Sequence, residues 1–597
     1  MFIPSIRKDP WSAAAIAVAL VVCVLFSVAR GQLTGTALPG KEVIRGDARG
    51  YYSYLPALFI HHDLSHPAGG ERLINDTPQG RVKKCSIGTA VMQMPFFLLA
   101  DSWVLVQGSE RTGYERPYHV AIAFGGIMAL IIGLLALRRV LLVYGASDGV
   151  AAVVLSIVCW GTGLPYSAVM SSAFSHVWSF MAVAMFLRAT QRGLGGGYAL
   201  SVIAAGAWLG TIAILRPVNI VVVLALPMVL HGWPFGGGGK GQWPAMRTTL
   251  LGALACLLVI VLQPLAWKFQ TGHWVVWSYG EEGFHWSRPE VLRVLFAPMK
   301  GLFFWWPVLL AIVPGSVVLL RKSPMASVFG VLYFTLLVYI TSAWWCWYYG
   351  DGYGLRPMLD HLALFAVPMA ALGMAAPPRG KLMLAFLAVP LCALQLFQTW
   401  QFDQGIIHAH SMSWSKYRTI FLRTDDRWRD ALGGNYEMAQ FAPNGSDTIF
   451  GGSADLMHTA SPWEAGFIAK GSDGNAVCGI DRDHPYSITL RLDSSAIPDG
   501  RRLFVEVEIT RTEKTPGSSA QAVLVCEMGN ATVQHHYFTF ALNDLPSPPA
   551  GATATWRYAF RRPPALPEDA MKIYVWQTGN GDFTIDRFSA KVSAVRQ

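Results

Sequence analysis

Residues 149–187 have the sequence GVAAVVLSIVCWGTGLPYSAVMSSAFSHVWSFMAVAMFL, which contains no Asp, Glu, Lys or Arg. One crossing of a bilayer takes about 20 apolar residues, so this stretch is long enough for two membrane helices. Residues 161–165, GTGLP, break the apolar run where the two helices would meet. Arg188 and Arg192 follow directly, and basic residues mark the cytoplasmic ends of membrane helices. The stretch therefore predicts two membrane helices that return to the cytoplasm.

The composition of the whole chain agrees with this prediction. Of 597 residues, 53% are apolar and only 14% are charged, whereas about 25% are charged in an ordinary soluble domain. This excludes a soluble enzyme and a disordered chain. The net charge is +10, but the basic residues stand in pairs beside apolar blocks, which indicates membrane orientation rather than nucleic-acid binding. The eight Cys form no CxxC motif and no cluster with His at metal spacing, so the sequence predicts no zinc site.

About eleven segments of the chain are apolar enough to cross a membrane. If all eleven cross, every basic cluster lies on the side of Arg7 and Lys8, which is the cytoplasmic side. Residues 86–106 fit this scheme only as a juxtamembrane or re-entrant helix, because one more crossing would invert every later cluster. The odd number of spans places residues after 400 on the outer side. The spans lie at about 11–29, 117–137, 149–187 (two), 197–215, 217–231, 248–267, 301–320, 325–342, 358–376 and 382–400.

The outer tail has a different pattern. Ile488, Leu490 and Leu492 alternate with polar residues, and similar runs recur to the end of the chain. Alternation of this kind predicts half-buried strands, at least seven of them, which most simply close into a β-sandwich. The fold class is therefore a polytopic α-helical membrane protein with a carboxyl-terminal, extracytoplasmic β-sandwich.

Three domains are expected. Residues 1–400 form the membrane domain, 401–480 an ordered connector rich in Gly, Ser, Asn and Asp, and 481–597 the sandwich. Cys478 and Cys526 both lie in the predicted outer part, where a disulfide is chemically possible. The sequence leaves open whether they pair or remain two separate thiols.

Ionisable and aromatic residues gather in the predicted outer loops. In the first of them, Asp47 precedes residues 51–62, which have the apolar and aromatic content of an interfacial helix. A carboxylate at this depth can act as a base on a hydroxyl group, with Tyr51 and Tyr52 beside the substrate. The alternative is that Asp47 only caps the interfacial helix.

A second cluster, WWCWYYGDGYGLRPMLDH, occupies residues 344–361. Its aromatic residues could form an interfacial belt, but a belt does not explain three glycines, two acids and an arginine in the next eleven positions. Aromatic rings that stack on sugars, with carboxylates and Arg to bind hydroxyls and phosphate, explain the mixture. The predicted substrate contacts in this cluster are Trp347, Tyr349, Asp351, Tyr353 and Asp360.

Two cations stand on the predicted outer side, against the usual bias. Arg216 and Lys300 are costly there unless they meet an anion, and a lipid phosphate is the anion at that depth. With Arg356 they are predicted to bind a donor phosphate, whereas the alternative is snorkelling to ordinary headgroups. His176, in the second outer loop, either contacts substrate or is packed. The residues expected to line an acceptor groove, or merely to be solvated, are Glu281, Glu282 and His285.

Together these features describe a transferase that uses a lipid-linked sugar, because nucleotide sugars are not supplied outside the cytoplasm. The chain resembles the GT-C superfamily of integral membrane glycosyltransferases, which includes the protein O-mannosyltransferases and the aminoarabinose transferase of lipid A. The segments that carry the resemblance are Asp47 with Tyr51-Tyr52, the interfacial helix after them, a second juxtamembrane helix from Ile87, Arg216-Pro217, and residues 347–356.

The resemblance implies that Asp47 is the general base of an inverting transfer from a polyprenyl-phosphate sugar to an envelope glycan, a glycolipid or a protein. Several family members carry a second acid where this chain has Ser175-His176. We therefore expect no cofactor and no divalent metal. An outer β-sandwich on a membrane anchor suggests a multi-pass protein of the bacterial inner membrane, with its amino terminus in the cytoplasm and its carboxyl-terminal domain in the periplasm.

The tail resembles carbohydrate-binding β-sandwich modules. Tyr574 and Trp576 alternate onto one face, where they either stack on sugars or belong to the sandwich core. Two other functions also fit parts of the sequence. A flippase or transporter of a lipid-linked glycan would explain the spans and the outer cations, and a non-catalytic receptor or assembly factor would explain the outer sandwich.

Overall fold

A computed structural model describes residues 10–230, 245–280, 282–409, 412–425, 428, 445–457, 460–471, 474–530, 534–542, 548–565 and 568–595. The chain divides into two compact units, Met1–Thr399 and Trp400–Gln597. The first unit is almost entirely helical, and the second is built mainly from strands.

Helices follow one another closely through the first unit. Short 3₁₀ turns at Pro217–Ala225, Pro307–Ala311 and Arg356–His361 each lead into an α-helix. Each of these turns begins with a proline in its first two positions, where the missing N–H costs no hydrogen bond. The α-helices of the described residues are α1 Pro10–Ala29, α2 Ala48–Tyr52, α3 Tyr54–Phe59, α4 Gly88–Val106, α5 Arg116–Val143, α6 Asp148–Trp160, α7 Leu164–Met170, α8 His176–Thr190, α9 Ala199–Leu215, α10 Leu226–Val229, α11 Met246–Ile260, α12 Leu262–Thr271, α13 Val291–Phe296, α14 Leu302–Trp305, α15 Ile312–Lys322, α16 Pro324–Ala343, α17 Leu362–Ala375, α18 Pro378–Asp403 and α19 Trp414–Ile420.

The helices confirm a polytopic membrane protein. Among the described residues, seven helices are long and apolar enough to cross a bilayer, and α6 with α7 forms an eighth candidate that bends by 54°. The bend falls at the predicted break, GTGLP. The predicted spans at 197–215, 217–231 and 301–320 correspond to shorter or interrupted helices, because Pro217 and Pro307 each begin a 3₁₀ turn.

Helix α4 is counted among those seven by length and composition, although the sequence favours a helix that does not cross. Its acid, Asp101, is only 6% exposed. The Arg111 guanidinium donates to this carboxylate from Nε at 3.1 Å and Nη2 at 2.8 Å, and the Tyr118 hydroxyl donates at 2.6 Å. An acid in an apolar helix is tolerated when it is paired in this way.

The helical bundle has two chemically different ends. At one end, Asp148 accepts the backbone N–H of Trp11 at 2.8 Å and of Ser12 at 3.1 Å, so the starts of α1 and α6 meet. Arg138, near the end of α5, donates to the Ser12 hydroxyl at 2.6 Å. The other end of α1 reaches α7, since Gln32 Nε2 lies 3.8 Å from the Met170 sulfur. The loops after α1 and α7 therefore lie at the end opposite Arg138. The loops after α9 and α16 lie at the same end, because Arg216 contacts both His176, at the start of α8, and the ring of Tyr349.

The described strands form a small hairpin in the first unit, β1 with β2, and two antiparallel sheets in the second. The orders are β10-β9-β12-β7-β4 and β11-β8-β13-β6-β5, with β3 also beside β13. Apolar side chains from both sheets form one buried core, which confirms a β-rich carboxyl-terminal region. The strands are β1 Ile74–Thr77, β2 Gly80–Lys83, β3 Ser446–Ser453, β4 Trp463–Glu464, β5 Ile468–Lys470, β6 Ala476–Ile480, β7 Thr489–Leu492, β8 Arg502–Glu513, β9 Ala522–Gly529, β10 Gln534–Ala541, β11 Thr553–Pro564, β12 Ala570–Gln577 and β13 Phe583–Val595.

The sheets begin earlier in the chain than the predicted boundary at residue 481. Four strands, β3 to β6, come from the segment that the sequence analysis treats as a connector. Strands of two or three residues, such as β4 and β5, are too short to show a period of two. Cys478 lies on β6 and Cys526 on β9, in different sheets, and both are buried free thiols.

A buried ion pair inside the second unit yields a test of its packing. Glu513 and Arg511 are each 1% exposed and their side chains meet at 3.0 Å. Glu513 also accepts from the backbone N–H of Ser519 and the hydroxyl of Ser518, both at 2.9 Å. We expect Glu513→Ala to lower the free energy of unfolding of this unit by about 3–5 kcal/mol, because Arg511 is left buried and unpaired. Proteolysis of the full chain in increasing urea measures the change.

Glu506→Ala is the matched control. Glu506 is 45% exposed and its contact with Lys591 is 3.7 Å long. Exposed pairs contribute about 0–1 kcal/mol, so this variant should unfold almost like the unaltered chain. Equal effects of the two substitutions would contradict the structural role of the buried pair.

Candidate functional site

The site begins where α9 ends, at Arg216. The backbone of Arg216 is extended, with φ −152° and ψ 106°, and Pro217 starts a 3₁₀ turn directly after it. Asn219 is the third residue of this turn, and its backbone N–H donates to the Arg216 backbone oxygen at 2.9 Å, which keeps the two residues close together. Both contact Asp360: Arg216 Nε lies 3.5 Å from Oδ2, and Asn219 Nδ2 donates to the same oxygen at 2.7 Å.

Asp360 is completely buried, and a third side chain makes a hydrogen bond to its carboxylate. His176, the first residue of α8, donates from Nδ1 to Asp360 Oδ1 at 2.9 Å. The side chain of His176 is 6% exposed and that of Asp360 is 0% exposed. The sequence analysis predicts Asp360 as a substrate contact and leaves open whether His176 contacts substrate or is packed, whereas the structure encloses both side chains behind Arg216. Their geometry fits residues that hold the guanidinium in place.

A glycine turn folds the aromatic cluster back on itself. Gly350, Gly352 and Gly354 have φ values of 65°, 150° and 60°, a region that L side chains rarely adopt. The turn lets the Arg356 guanidinium donate to the backbone oxygen of Tyr349, and the Lys300 ammonium donate to the backbone oxygen of Gly352. Two of the three predicted phosphate ligands are thus fixed by one turn.

The third predicted phosphate ligand reaches the same turn through an aromatic ring. The guanidinium carbon of Arg216 lies 5.8 Å from the centre of the Tyr349 ring, within cation–π range. Arg216 also acts electrostatically on Arg356. The structure therefore brings Arg216, Lys300 and Arg356 together around residues 349–356.

Asp47 lies at the start of α2 and is exposed. Although it occupies the cap position, its backbone is helical and its side chain makes no capping hydrogen bond among the described residues. The alternative of a simple capping aspartate is therefore wrong. The negative charge of the Asp47 carboxylate interacts with the positive charge of Arg356. Asp47 and Arg216 both lie close enough to Tyr51 and Cys85 for their charges to influence these two side chains. Asp47 and Arg216 thus have the same two neighbours, Tyr51 and Cys85.

Tyr51 lies between these charges. Burial raises the pKa of Tyr51 to about 12. Its phenol therefore keeps its proton at neutral pH and can donate a hydrogen bond. The next residue, Tyr52, points elsewhere: it is fully buried and its hydroxyl donates to the Gly113 backbone oxygen at 2.7 Å. Of the predicted tyrosine pair, the structure places only Tyr51 beside the charged groups.

Other predicted contacts of the aromatic cluster serve packing. Tyr353 is 4% exposed, and its hydroxyl donates to Gln395 Oε1 at 2.8 Å. Trp347 is 2% exposed. Asp351, in contrast, is exposed and acts electrostatically on Arg356 and Lys300. The glycine turn thus places the exposed acid, Asp351, beside Arg356 and Lys300. The rings of Trp347 and Tyr353 are buried and serve the packing of this region.

The predicted acceptor residues lie in the loop after α12. Glu282 forms an ion pair of 2.5 Å with Lys84, and the Lys84 backbone oxygen accepts the Ser278 hydroxyl at 2.9 Å. His285 is exposed, and its backbone N–H donates to Ala343 at 2.5 Å. Glu281 lies outside the described residues. Over the part of the chain that the structure describes, no three His, Cys, Asp or Glu side chains are grouped as metal ligands would be.

Three residues of the site escape the sequence analysis. Asn219 could have been found, because it stands three positions after Arg216 and a proline-led turn joins them. Phe174, whose ring lies 5.2 Å from the Arg356 guanidinium, and Cys85, which both Asp47 and Arg216 influence, carry no local signal. Only the packing of α8 and of the first outer loop brings them to the site.

The buried Asp360 network makes a prediction about stability. We expect Asp360→Asn to cost about 3–5 kcal/mol, because the substitution keeps the shape but leaves the Arg216 guanidinium without its counter-charge. A lowered thermal unfolding midpoint of the purified protein would register this loss. Asp351→Asn is the control, since an exposed carboxylate is expected to contribute about 0–1 kcal/mol. A larger effect at Asp351 than at Asp360 would show that the network is not a structural centre.

A scan of protein-family models finds no match to this chain, and a search of curated proteins finds no relative. Among solved structures, the apo oligosaccharyltransferase of Archaeoglobus fulgidus is similar with TM-score 0.38 and 10% identity, over 70% of this chain and 59% of that chain. Arabinosyltransferase EmbB of Mycobacterium smegmatis has TM-score 0.36 and 12% identity, over 98% of this chain and 64% of that chain. The CBM22-1 xylan-binding domain of Paenibacillus barcinonensis Xyn10C has TM-score 0.18 and 11% identity, over 26% of this chain and 99% of that chain.

The chain thus spans less than two thirds of the length of the two transferases it is similar to. Because all three TM-scores lie below 0.5, the likeness by itself assigns no function.

Proposed function

We propose that this protein is a membrane glycosyltransferase that moves a sugar from a polyprenyl-phosphate donor to a hydroxyl group of an envelope glycan, a glycolipid or a protein. One observation carries the proposal: Asp47 is exposed, does not cap its helix, and lies in electrostatic range of Arg356. A base and a phosphate-binding cation are the two groups that such a transfer requires.

The proposed step is an inverting substitution at the anomeric carbon. Asp47 accepts the proton of the acceptor hydroxyl, and the acceptor oxygen forms a bond to that carbon on the face opposite the phosphate. The bond between the anomeric carbon and the phosphate oxygen breaks, and its electron pair leaves with the polyprenyl phosphate. The base is needed because a hydroxyl group is a weak nucleophile until its proton is removed.

The cations would stabilise the negative charge that grows on the leaving phosphate. A guanidinium presents five N–H donors and an ammonium three. Arg356 and Lys300 each donate one hydrogen bond to a backbone oxygen of the glycine turn. This contact holds each side chain in place, and its remaining N–H donors would bind the phosphate. Arg216 is supported from behind by Asp360. Donors fixed before the reaction stabilise developing charge without reorganising, which is the main source of electrostatic catalysis.

The proposed reaction needs no divalent metal ion and takes place on the outer side of the membrane. The three cations supply the positive charge that a divalent ion would otherwise bring to the phosphate. The donor would enter from the outer leaflet of a bacterial inner membrane, because the site lies at the bundle end opposite Arg138. The second unit would lie in the periplasm. Basic residues mark the cytoplasmic side of a membrane protein.

Asp47→Asn tests the proposal. The substitution is nearly isosteric but removes the base, so the rate of sugar transfer should fall by about 10²–10⁴-fold while folding is unchanged. Purified protein is incubated with polyprenyl-phosphate sugars and membrane extract, and the mass of the acceptor reports the transfer.

Asp63→Asn is the control, because Asp63 lies in the same outer loop and its exposed carboxylate accepts hydrogen bonds from the hydroxyl and the backbone N–H of Ser65, at 2.6 and 2.8 Å. Full activity of Asp47→Asn would remove Asp47 as the base. Movement of the donor across the membrane without any transfer would favour a flippase instead.

A chelator added to the same assay should leave the rate unchanged.

Donor binding should depend on pH through Lys300. Burial, together with the nearby Arg356, lowers the pKa of Lys300 to about 7. Below that pH the ammonium is charged and attracts phosphate, and above it the neutral amine does not. We therefore expect the KM for the donor to rise as the pH increases above about 7, and kcat to fall as well, because the ammonium also stabilises the charge that grows on the leaving phosphate. In Lys300→Gln the KM should be high at every pH, and a rise like that of the unaltered protein would exclude Lys300 as a phosphate ligand.

A further inference from the structure

An open apolar groove runs along the first turns of α5 and takes no part in the proposed transfer. Its walls come from three segments: the start of α5, the later part of α4, and the loop after α1. The groove has a volume of about 430 Å³, which is within the range of ligand-binding pockets. Of the residues that line it, only Arg116 is charged. A ligand that fits is therefore mostly apolar and carries a negative charge at one end.

The apolar wall of the groove follows one face of α5. Val120, Ala121 and Phe124 lie on this face, and Trp103 of α4 completes the wall. The rings of Trp103 and Phe124 are 59% and 48% exposed, so the groove opens to the surroundings of the helix. Eight residues of helix separate Arg116 from Phe124, which corresponds to about 12 Å. The hydrocarbon core of a bilayer is about 30 Å thick, so the groove extends through most of one leaflet.

Arg116 lies at the outer end of α5. The last turns of the same helix carry Arg138, which marks the cytoplasmic side. Arg116 is exposed, and its side chain makes no hydrogen bond or ion pair within the part of the chain that the structure describes. The adjacent acid does not pair with it, because the Glu115 carboxylate accepts from the backbone N–H of Thr112 at 2.8 Å and of Gly113 at 3.2 Å. The Arg116 guanidinium is therefore able to bind a phosphate at the level of the lipid headgroups.

The loop after α1 packs against the stem of the Arg116 side chain. A Cβ atom on Gly35 would lie 3.5 Å from Cβ and 3.6 Å from Cδ of Arg116, and 3.4 Å from Val120. The chain approaches this closely at a residue with a φ of 68°, a region that favours glycine. The contact limits the directions that the Arg116 side chain can take, so the cation is a fixed part of the groove.

The dimensions of the groove favour a single hydrocarbon chain. Its volume and its length give a mean cross-section of about 36 Å², whereas a helix about 10 Å wide has a cross-section of about 80 Å². A membrane helix of another protein is therefore too wide. Water is a poor occupant, because apolar walls offer it few hydrogen bonds.

The bilayer itself supplies a molecule with the required chemistry. The acyl chain of a phospholipid has the length of one leaflet, and its phosphate lies at the level of Arg116. Since Glu115 is engaged by its own loop, the groove presents a cation without an acid for the amine of a zwitterionic headgroup. A headgroup with a net negative charge is thus the better match.

We propose that this groove binds one acyl chain of an anionic phospholipid, with the phosphate of the headgroup bound by the Arg116 guanidinium. The bound lipid would connect the loop after α1 with α4 and α5 at the outer surface of the helical unit. The site is independent of Asp47 and of sugar transfer.

The test measures lipid binding to the purified full-length protein by native mass spectrometry, in an equal mixture of dioleoyl-phosphatidylglycerol and dioleoyl-phosphatidylcholine. The two lipids have the same chains and differ in headgroup charge. We expect the unaltered protein to retain phosphatidylglycerol in preference. In Arg116→Gln this preference should fall by about fivefold, the effect of removing one basic residue from an anionic lipid surface. Arg116→Lys keeps the charge and should keep most of the preference.

Two control variants match the change of charge and the change of volume. Arg81→Gln removes a cation that is 73% exposed on the outer side but does not line the groove, so the preference should remain. Ala121→Trp fills the groove and should remove the retained lipid. Leu135→Trp adds the same ring to another exposed position of α5, where Leu135 is 45% exposed, and should leave binding unchanged.

Three results would overturn the proposal: equal retention of the two lipids by the unaltered protein, an unchanged preference in Arg116→Gln, or full lipid retention in Ala121→Trp. Displacement of phosphatidylglycerol by an equal amount of polyprenyl phosphate would also overturn it, because the groove would then belong to the donor carrier. Asp47→Asn should bind phosphatidylglycerol like the unaltered protein, so loss of transfer and loss of lipid binding are measured separately.

Discussion

The functional end of the helical unit depends on one buried charge, the carboxylate of Asp360. Two elements that are far apart in the chain supply its partners: α8 through His176, and the turn after α9 through Arg216 and Asn219. Asp360 itself lies in the 3₁₀ turn that leads into α17. A carboxylate without these partners would be very costly in an apolar bundle. The need to satisfy it therefore fixes how these helix ends meet, and with them the position of the Arg216 guanidinium.

The glycine turn at residues 350–354 complements this rigid centre. Three positive φ values allow the chain to return sharply, so that Arg356 reaches the Tyr349 backbone and Lys300 the Gly352 backbone. A Cβ atom on Gly352 would lie 2.5 Å from the Arg356 side chain. The turn and the Asp360 network are joined by the Tyr349 ring, which faces Arg216. Cations from three separate segments thus become one group.

Much of this architecture can be predicted from the sequence, because apolar periodicity and proline and glycine breaks are local signals. The bend between α6 and α7 falls at Gly161-Thr162-Gly163, and the fold class is confirmed. Arg216, Lys300 and Arg356 lie around the same turn. The sequence analysis singles out Arg216 and Lys300 by their unusual position relative to the membrane, and Arg356 by the rings, glycines and acids that surround it. Their roles remain part of the proposed function.

What the sequence could not give is the direction of individual side chains. Tyr51 and Tyr52 are adjacent, yet one lies among charges and the other donates to Gly113 deep in the core. The sequence predicts Asp360 as a substrate contact because it belongs to a cluster of rings, glycines and charges, and it leaves open whether His176 contacts substrate or is packed. They instead satisfy each other, and that pairing depends on two helix ends brought together only by tertiary packing. The short strands β4 and β5 escaped for another reason: two or three residues cannot display a period.

The pairing of Asp101 has a consequence for how the chain is made. The groups that pair with this carboxylate, the Arg111 guanidinium and the Tyr118 hydroxyl, are synthesised after it. Helix α4 therefore leaves the ribosome with an uncompensated acid and reaches its final environment only when the beginning of α5 arrives. The contacts of the first outer loop are therefore complete only after the start of α5 has been synthesised.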